Sequence, residues 1–287
     1  MKKTIIIIFL FSLTSCYNQE TLVDKTKLLR IDYRLYQSTD AWELAKAVQF
    51  GDTIKIKEEI LQKKVSVDYL DPLYGHTLLM FAIYHSQYES VKILLKLGAN
   101  PNIHDKYDGT TPIIYASRNF DAKYLKLILS YKGDPNSKEF DPKDTTNPER
   151  DTALTATLSS SPKNNSLEKV KLLIEAGADI EYYNEHITQR PLAQSVIHYR
   201  MDVTLYLLQK GADYNQTAYY EEKVSILRLL RGVLLDLNSE QYKKKLEVIA
   251  FLKNKGLDYD KQPIEDADLK RMKFLYPNNW QEYMKRY

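Results

Sequence analysis

Five times along this chain an apolar stretch with helical spacing runs into a glycine and then a short polar phrase. The copies read LLKLGANPN at 94–102, LILSYKGDPN at 127–136, LLIEAGADI at 172–180, LLQKGADYN at 207–215 and, more degenerate, FLKNKGLDYD at 251–260. A glycine in that place predicts a helix end, because a residue with positive φ can close a helix there without a Cβ penalty. The anchoring glycines Gly98, Gly133, Gly177, Gly211 and Gly256 are separated by 35, 44, 34 and 45 residues. A basic period near 34 with two lengthened copies predicts stacked units that carry insertions.

The head of each unit follows the same logic. Gly75-His76-Thr77-Leu78-Leu79-Met80-Phe81-Ala82 aligns with Gly109-Thr110-Thr111-Pro112-Ile113-Ile114-Tyr115-Ala116, and the starts Asp71 and Asp105 lie 34 residues apart. Weaker copies begin at Thr152 and Arg190. Proline at the second position suits a first helical turn, where its φ is preset and its missing N–H would be unpaired in any case. Helix pairs are expected as Trp42–Phe50 with 54–63, then in four units at about 71–104, 105–145, 146–183 and 184–216. A degenerate pair is expected at 224–237 and 241–255, and short helices at 263–275 and 279–287. Asp40-Ala41-Trp42-Glu43 has the form of a capping box opening the first helix.

With heads and tails aligned, residues of about 40–260 resemble the ankyrin repeat family, whose pattern is Thr-Pro-Leu-His-x-Ala, a second helix and Gly-Ala-Asp-x-Asn. The resemblance implies an all-α, ankyrin-type helix-turn-helix solenoid with degenerate capping repeats, here followed by an extra helical tail. It departs from the family at the head histidine, replaced by Met80, Ile114, Thr155 and Ala193, and Thr-Pro is intact only at Thr111-Pro112. Irregular turns and a weak third unit follow, with early fraying expected at 150–166 around a Ser-rich insert, a point that amide exchange can check.

The first residues follow another plan. Met1-Lys2-Lys3 is a short basic start, 5–13 an apolar run, and Leu13-Thr14-Ser15-Cys16 follows. The order of charged, apolar and small residues is that of a secretory signal, and the run falls short of the about 20 apolar residues of a membrane span. Leu-Thr-Ser-Cys resembles the bacterial lipobox, which implies lipidation of Cys16 as the first mature residue. The domain reading is therefore 1–15 lipoprotein signal peptide, 16–39 lipidated N-terminus and tether, 40–260 repeat domain and 261–287 C-terminal helical cap. Residues 17–39 read as a partly ordered spacer, with an arm packed on the first repeat as the alternative.

Charge and chemistry then narrow the function. Without residues 1–15 the chain keeps 39 basic against 38 acidic residues, which gives no global field for nucleic acid. Cys16 is the only cysteine, so no intrachain disulfide can form. The five histidines show no metal-site spacing, and neither a Gly-x-Ser-x-Gly elbow nor a phosphate-binding glycine motif occurs. No catalytic residue, cofactor or metal is expected.

Tyrosine is the affirmative signal, with 23 in the chain. Many fall between units, among them Tyr69, Tyr74, Tyr107, Tyr182, Tyr183, Tyr214, Tyr219 and Tyr220. By the family resemblance these segments are projecting fingers, and with the first-helix residues Tyr84, His85, Arg118 and Asn119 they would line a concave protein-binding face. Tyrosine suits such a face because it offers large contact area with little rotamer entropy to lose. The expected function is a non-catalytic, lipid-anchored scaffold of a bacterial envelope, on the outer membrane facing the periplasm. It would bind another exported protein, as an inhibitor or immunity-like protein in the sharper version. The alternative is a carbohydrate- or peptide-binding envelope component.

Overall fold

A computed structural model describes residues 21–140, 151–158, 166–182, 190–215, 218–219 and 222–287, with side chains at 218–219 and 222–223 excluded. Cys16, the signal segment, Tyr183, Tyr220 and the inserts around 141–150, 159–165 and 216–217 lie outside these residues.

The chain forms two layers of helices. The layer of first helices runs α1 (Trp42–Phe50), α3 (Leu78–Tyr84), α5 (Pro112–Arg118), α7 (Ala153–Ala156), α9 (Pro191–Ile197) and α11 (Ile226–Gly232), each packed on the next. The second layer holds α2 (Thr53–Lys57), α4 (Tyr88–Lys96), α6 (Ala122–Ser130), α8 (Ser166–Glu175), α10 (Met201–Gln209) and α12 (Glu240–Asn254). There α2 meets α4, and α8 lies between α6 and α10, which in turn packs on α12. A two-residue hairpin, β1 (Ala218–Tyr219) with β2 (Glu222–Lys223), follows the fifth pair. The helices α13 (Asp266–Leu275) and α14 (Trp280–Arg286) close the described chain. Short α3 and α5 hide almost every side chain, so each first helix contributes to one continuous core rather than to its own unit.

The conserved spacing inside the chain sharpens once backbone angles are known. Gly98, Gly177 and Gly211 all sit at φ 96°, and Gly256 at 90°. Gly133 does not: the left-handed residue there is Lys132, at φ 66°. Lys132 stands 34 residues after Gly98, so the period is regular at this unit and the insertion after it is longer by one. Gly133 is a glycine for a different reason, because a Cβ would come within 2.5 Å of Ile128 Cγ2.

Other local expectations are corrected. Asp40 does not cap α1; Ala41 is the cap residue without a side-chain bond, and Thr39 supplies the turn through its carbonyl and hydroxyl. Glu43 pairs with Lys46 at 2.7 Å instead. The helix expected at 54–63 begins as α2, capped by Asp52, and widens into a π turn over Glu58–Gln62. Helix α11 stops at Gly232, short of the 237 expected.

The head histidine absent from the repeats is replaced differently in each unit. In the first, the Thr77 hydroxyl accepts from the Met80 amide at 3.2 Å. In the third, Thr152 and Thr155 exchange bonds, with the Thr155 hydroxyl accepting from the Thr152 amide at 2.8 Å. These close an otherwise unpaired helix start.

The polar phrase after each helix is a ladder between units. The Asn102 side chain accepts from the Asp134 amide at 2.8 Å and donates to the Lys132 carbonyl at 3.0 Å. Asn136 accepts from the Asp179 amide and donates to the Gly177 carbonyl. Where the third copy has Glu181 in place of Asn, its carboxylate accepts from the Asp213 amide at 2.7 Å. The Asn position recurs because a short side chain with both a donor and an acceptor can satisfy the next unit's loop.

Candidate interaction face

The fingers between units are built on aspartates. Asp71 accepts from the amides of Leu73, Tyr74 and His76, and Asp105 from those of Tyr107 and Asp108. A carboxylate that gathers successive backbone N–H groups holds a tight turn, which is why the units start on Asp. Neighbouring fingers also bond edge to edge, with Lys106 N–H donating to Tyr74 O at 2.9 Å and Phe140 N–H to Asp108 O at 3.1 Å. Gly109 is required by that approach: a Cβ would meet Phe140 N at 2.8 Å and O at 2.6 Å.

Between the first two fingers and their helices the rings form a chain. Tyr107 meets Tyr74 edge-on at 5.7 Å, Tyr74 stacks with His76, and His76 meets Tyr115 at 6.0 Å. Tyr115 then meets Tyr84, which meets His85, whose ring lies 4.4 Å from Phe81. Four expected site residues, Tyr74, Tyr84, His85 and Tyr107, are thus brought to one face, with Tyr84 and Tyr107 half exposed. The repeat pattern does not mark out His76, Tyr115, Asp108 or Arg30 as members of this face.

Part of this face holds the chain's own arm. His76 Nδ1–H donates to Arg30 O at 2.6 Å, and His85 Nε2–H donates to Ile31 O at 2.8 Å. The Arg30 guanidinium lies over the Tyr107 ring, 4.8 Å from its centroid, and donates to Asp108 Oδ2 at 2.5 Å. Burial alone would raise the Asp108 carboxyl, but the Arg30 and Thr110 hydrogen bonds outweigh it and hold the group below the usual range. Burial pushes the Tyr115 phenol up, with Asp105 and Asp108 adding to the effect and Arg30 opposing it. The buried Asp105 Oδ2 lies 3.3 Å from His76 Nε2. Downstream, Tyr33 stacks on Trp42 at 5.6 Å, and the buried Tyr36 donates from its hydroxyl to His76 O at 2.8 Å. Residues 21–37 are therefore a packed arm, not a spacer. The apolar pattern of Leu28, Leu35 and Tyr36 is what anchors it on the core.

The remaining site expectations fare differently. Arg118 is engaged within the chain, bidentate to Glu139 at 2.7 and 2.9 Å and bonded to Asp151 at 2.8 Å. Its charge thereby ties α5 to the third finger. The Asn119 amide donates to Ile83 O and the Ser86 hydroxyl, bridging two units. Tyr182 lies under Lys138, 5.3 Å from the ammonium, in a later finger. Tyr69 and Tyr214 pack against the core. Tyr219 is described only as backbone of β1. Among the described residues, no group of three His, Cys, Asp or Glu is placed to hold a metal ion, and no helix is long and apolar enough to cross a membrane.

Comparison with known proteins agrees with this architecture. A family model described as Ankyrin repeats (3 copies) matches residues 44–139. The chain is similar to Ankyrin repeat and SOCS box protein 6 of Homo sapiens, at 27% identity over 149 residues, covering 51% of this chain and 33% of the relative. The Pongo abelii protein of the same name matches to the same extent. The match thus spans about a third of the length of these relatives.

Proposed function

From the premise that this chain is an ankyrin-repeat protein, we propose that it acts as a protein-binding scaffold whose partner lies against the finger and first-helix face. The observation that carries the proposal is that this face already accepts polypeptide: two histidines, a tyrosine and an aspartate hold residues 30 and 31 of the arm. A ring-lined face with half-exposed Tyr84 and Tyr107 has the chemistry of a protein interaction surface. The role is non-catalytic.

The lipobox-like Leu13-Thr14-Ser15-Cys16 supports the finer reading of a scaffold tethered by acyl chains on Cys16 in a bacterial envelope, holding another exported protein. Inhibition of a toxin or hydrolase in that compartment is the sharper form of this reading. Crosslinking from native membranes tests it, with the Tyr107→Ala, Tyr182→Ala, Tyr183→Ala triple variant as control. The expected result is one dominant crosslinked protein that the triple variant loses while its melting temperature is kept. Equal crosslinking by both chains would refute the face. Acyl labelling that persists after Cys16→Ala would refute the anchor.

A further inference from the structure

The arm over the first two units has two unequal halves. The turn Tyr33–Tyr36 belongs to the main core, where Leu35 and Tyr36 are buried and Tyr33 stacks on Trp42. Residues 21–32 are held mainly by polar clips. Gln37 ties down the start of the segment through Val23 N–H and Thr21 O, at 3.0 and 2.9 Å. His76 and His85 hold two successive carbonyls, and Arg30 reaches Asp108 and Tyr107. Leu28 packs on the core, but Leu22 and Leu29 remain exposed. Single hydrogen bonds and a partly exposed ion pair each contribute modestly, and ordering a dozen residues opposes them.

We propose that residues 21–32 are a displaceable strap seated in a recognition groove, and that the groove's partner is a polypeptide turn like the strap's own, closed by Asp32 N–H on Leu29 O at 3.0 Å, placing an arginine in the slot now taken by Arg30. The proposal rests on the scaffold reading and adds the partner's chemistry. Two imidazole N–H groups aimed at consecutive carbonyls read main chain, whatever its side chains. The slot beside them reads one side chain. Its floor is the Tyr107 ring and its end is Asp108, whose other oxygen is fixed by the Thr110 hydroxyl at 2.7 Å. The negative carboxylates of Asp105 and Asp108 favour a cation, and the flat ring favours a planar guanidinium over an ammonium. Tyr84 stands exposed beside His85, where a partner longer than the strap gains contact that the strap does not make.

The test uses the full chain and a labelled synthetic peptide of residues 21–32. Arg30→Glu sets a carboxylate against Asp108 and expels the cis strap from the slot without touching the groove. The peptide is expected to bind the Arg30→Glu chain at least tenfold more tightly than the wild-type chain by fluorescence anisotropy. Adding Asp108→Ala to that chain should abolish the gain, and a peptide with lysine for its arginine should lose most of it. Melting of Arg30→Glu within a few degrees of wild type establishes that the fold is kept, and Arg30→Ala provides a milder variant with the same expected direction. Equal affinity for wild-type and Arg30→Glu chains, absence of binding to both, or equal binding of the lysine peptide would each overturn the proposal. The crosslinking result with the tyrosine variant stands independently, so a strap that fails this test leaves the scaffold reading intact.

Discussion

Two arginines secure the flanks of the repeat stack, and they do so in opposite ways. Arg231 is 6% exposed, donates to the carbonyls of Tyr259, Gln262 and Tyr287, and stacks over the Tyr259 ring at 3.8 Å. Arg30 keeps 39% of its side chain exposed and meets one carboxylate and one ring. Around Arg231 the last helices build a second small core from Leu234, Met272, Tyr283 and Tyr287. The arm around Arg30 adds only Leu35, Tyr36 and their neighbours to the main core. The contrast separates structure from recognition: a guanidinium enclosed by carbonyls holds a closure in place, whereas one at a ring-lined rim can be exchanged.

The largest test of this contrast is Arg231→Met. Loss of the guanidinium leaves buried carbonyls without donors, and we expect about 3 kcal/mol of destabilisation by urea unfolding. A cost below about 1 kcal/mol would show the C-terminal closure to be as loose as the strap.

Next comes pH. Burial, with Arg200 nearby, pushes the Lys169 ammonium down to about 7, and burial beside Arg231 does the same for Lys245. A neutral amine still has two N–H groups, enough for Lys169 to serve the Ser117 and Asn119 carbonyls. Between the folded value near 7 and the unfolded value of 10.5, the unfolded chain binds more protons, so stability rises with pH across that window. Above about pH 10 the sign reverses. Burial holds the phenols of Tyr36, Tyr283 and Tyr287 above their usual value, so unfolding then releases protons. A melting temperature that climbs from pH 7 to about 9.5 is expected, flattened on the C-terminal side by Lys245→Met. A flat profile in the wild-type chain would count against neutral buried lysines.

Tyr36→Phe removes the hydroxyl bond to His76 O and should cost about 1 kcal/mol while leaving the ring packed. Arg30→Ala should cost less than about 1 kcal/mol, because its ion pair is partly exposed. A loss as large as that from Arg231→Met would erase the distinction between the flanks. The smallest effect, about 0.5 kcal/mol, is expected for Asn136→Ala, whose bonds join two exposed loops.

Much of the scaffold was legible in the chain. The helix pairs, the aspartates that begin the first two fingers and the glycine phrase follow from local chemistry repeated at one period. The misjudged places are those where a distant contact overrides a local signal. Lys132 is the exception, since it takes the left-handed position while Gly133 lies against Ile128, only five residues away. Arg118 and Asn119 looked available on a first helix, yet they join units, because residues far along the chain supply Glu139, Asp151 and the Ser86 hydroxyl. The tyrosines of the fingers were readable as a cluster, but their grouping with His76 and the arm was not.

The sequence by itself determined the repeat, its period and the aromatic character of the segments between units, since turns, caps and helical spacing are encoded over a few residues. Only the tertiary structure decided which of those rings share a face and what lies on it. Arg30 and Asp108 are 78 positions apart, and nothing in the local pattern of either records the other. Stacking brings the second finger under the arm, and the slot exists because of that approach.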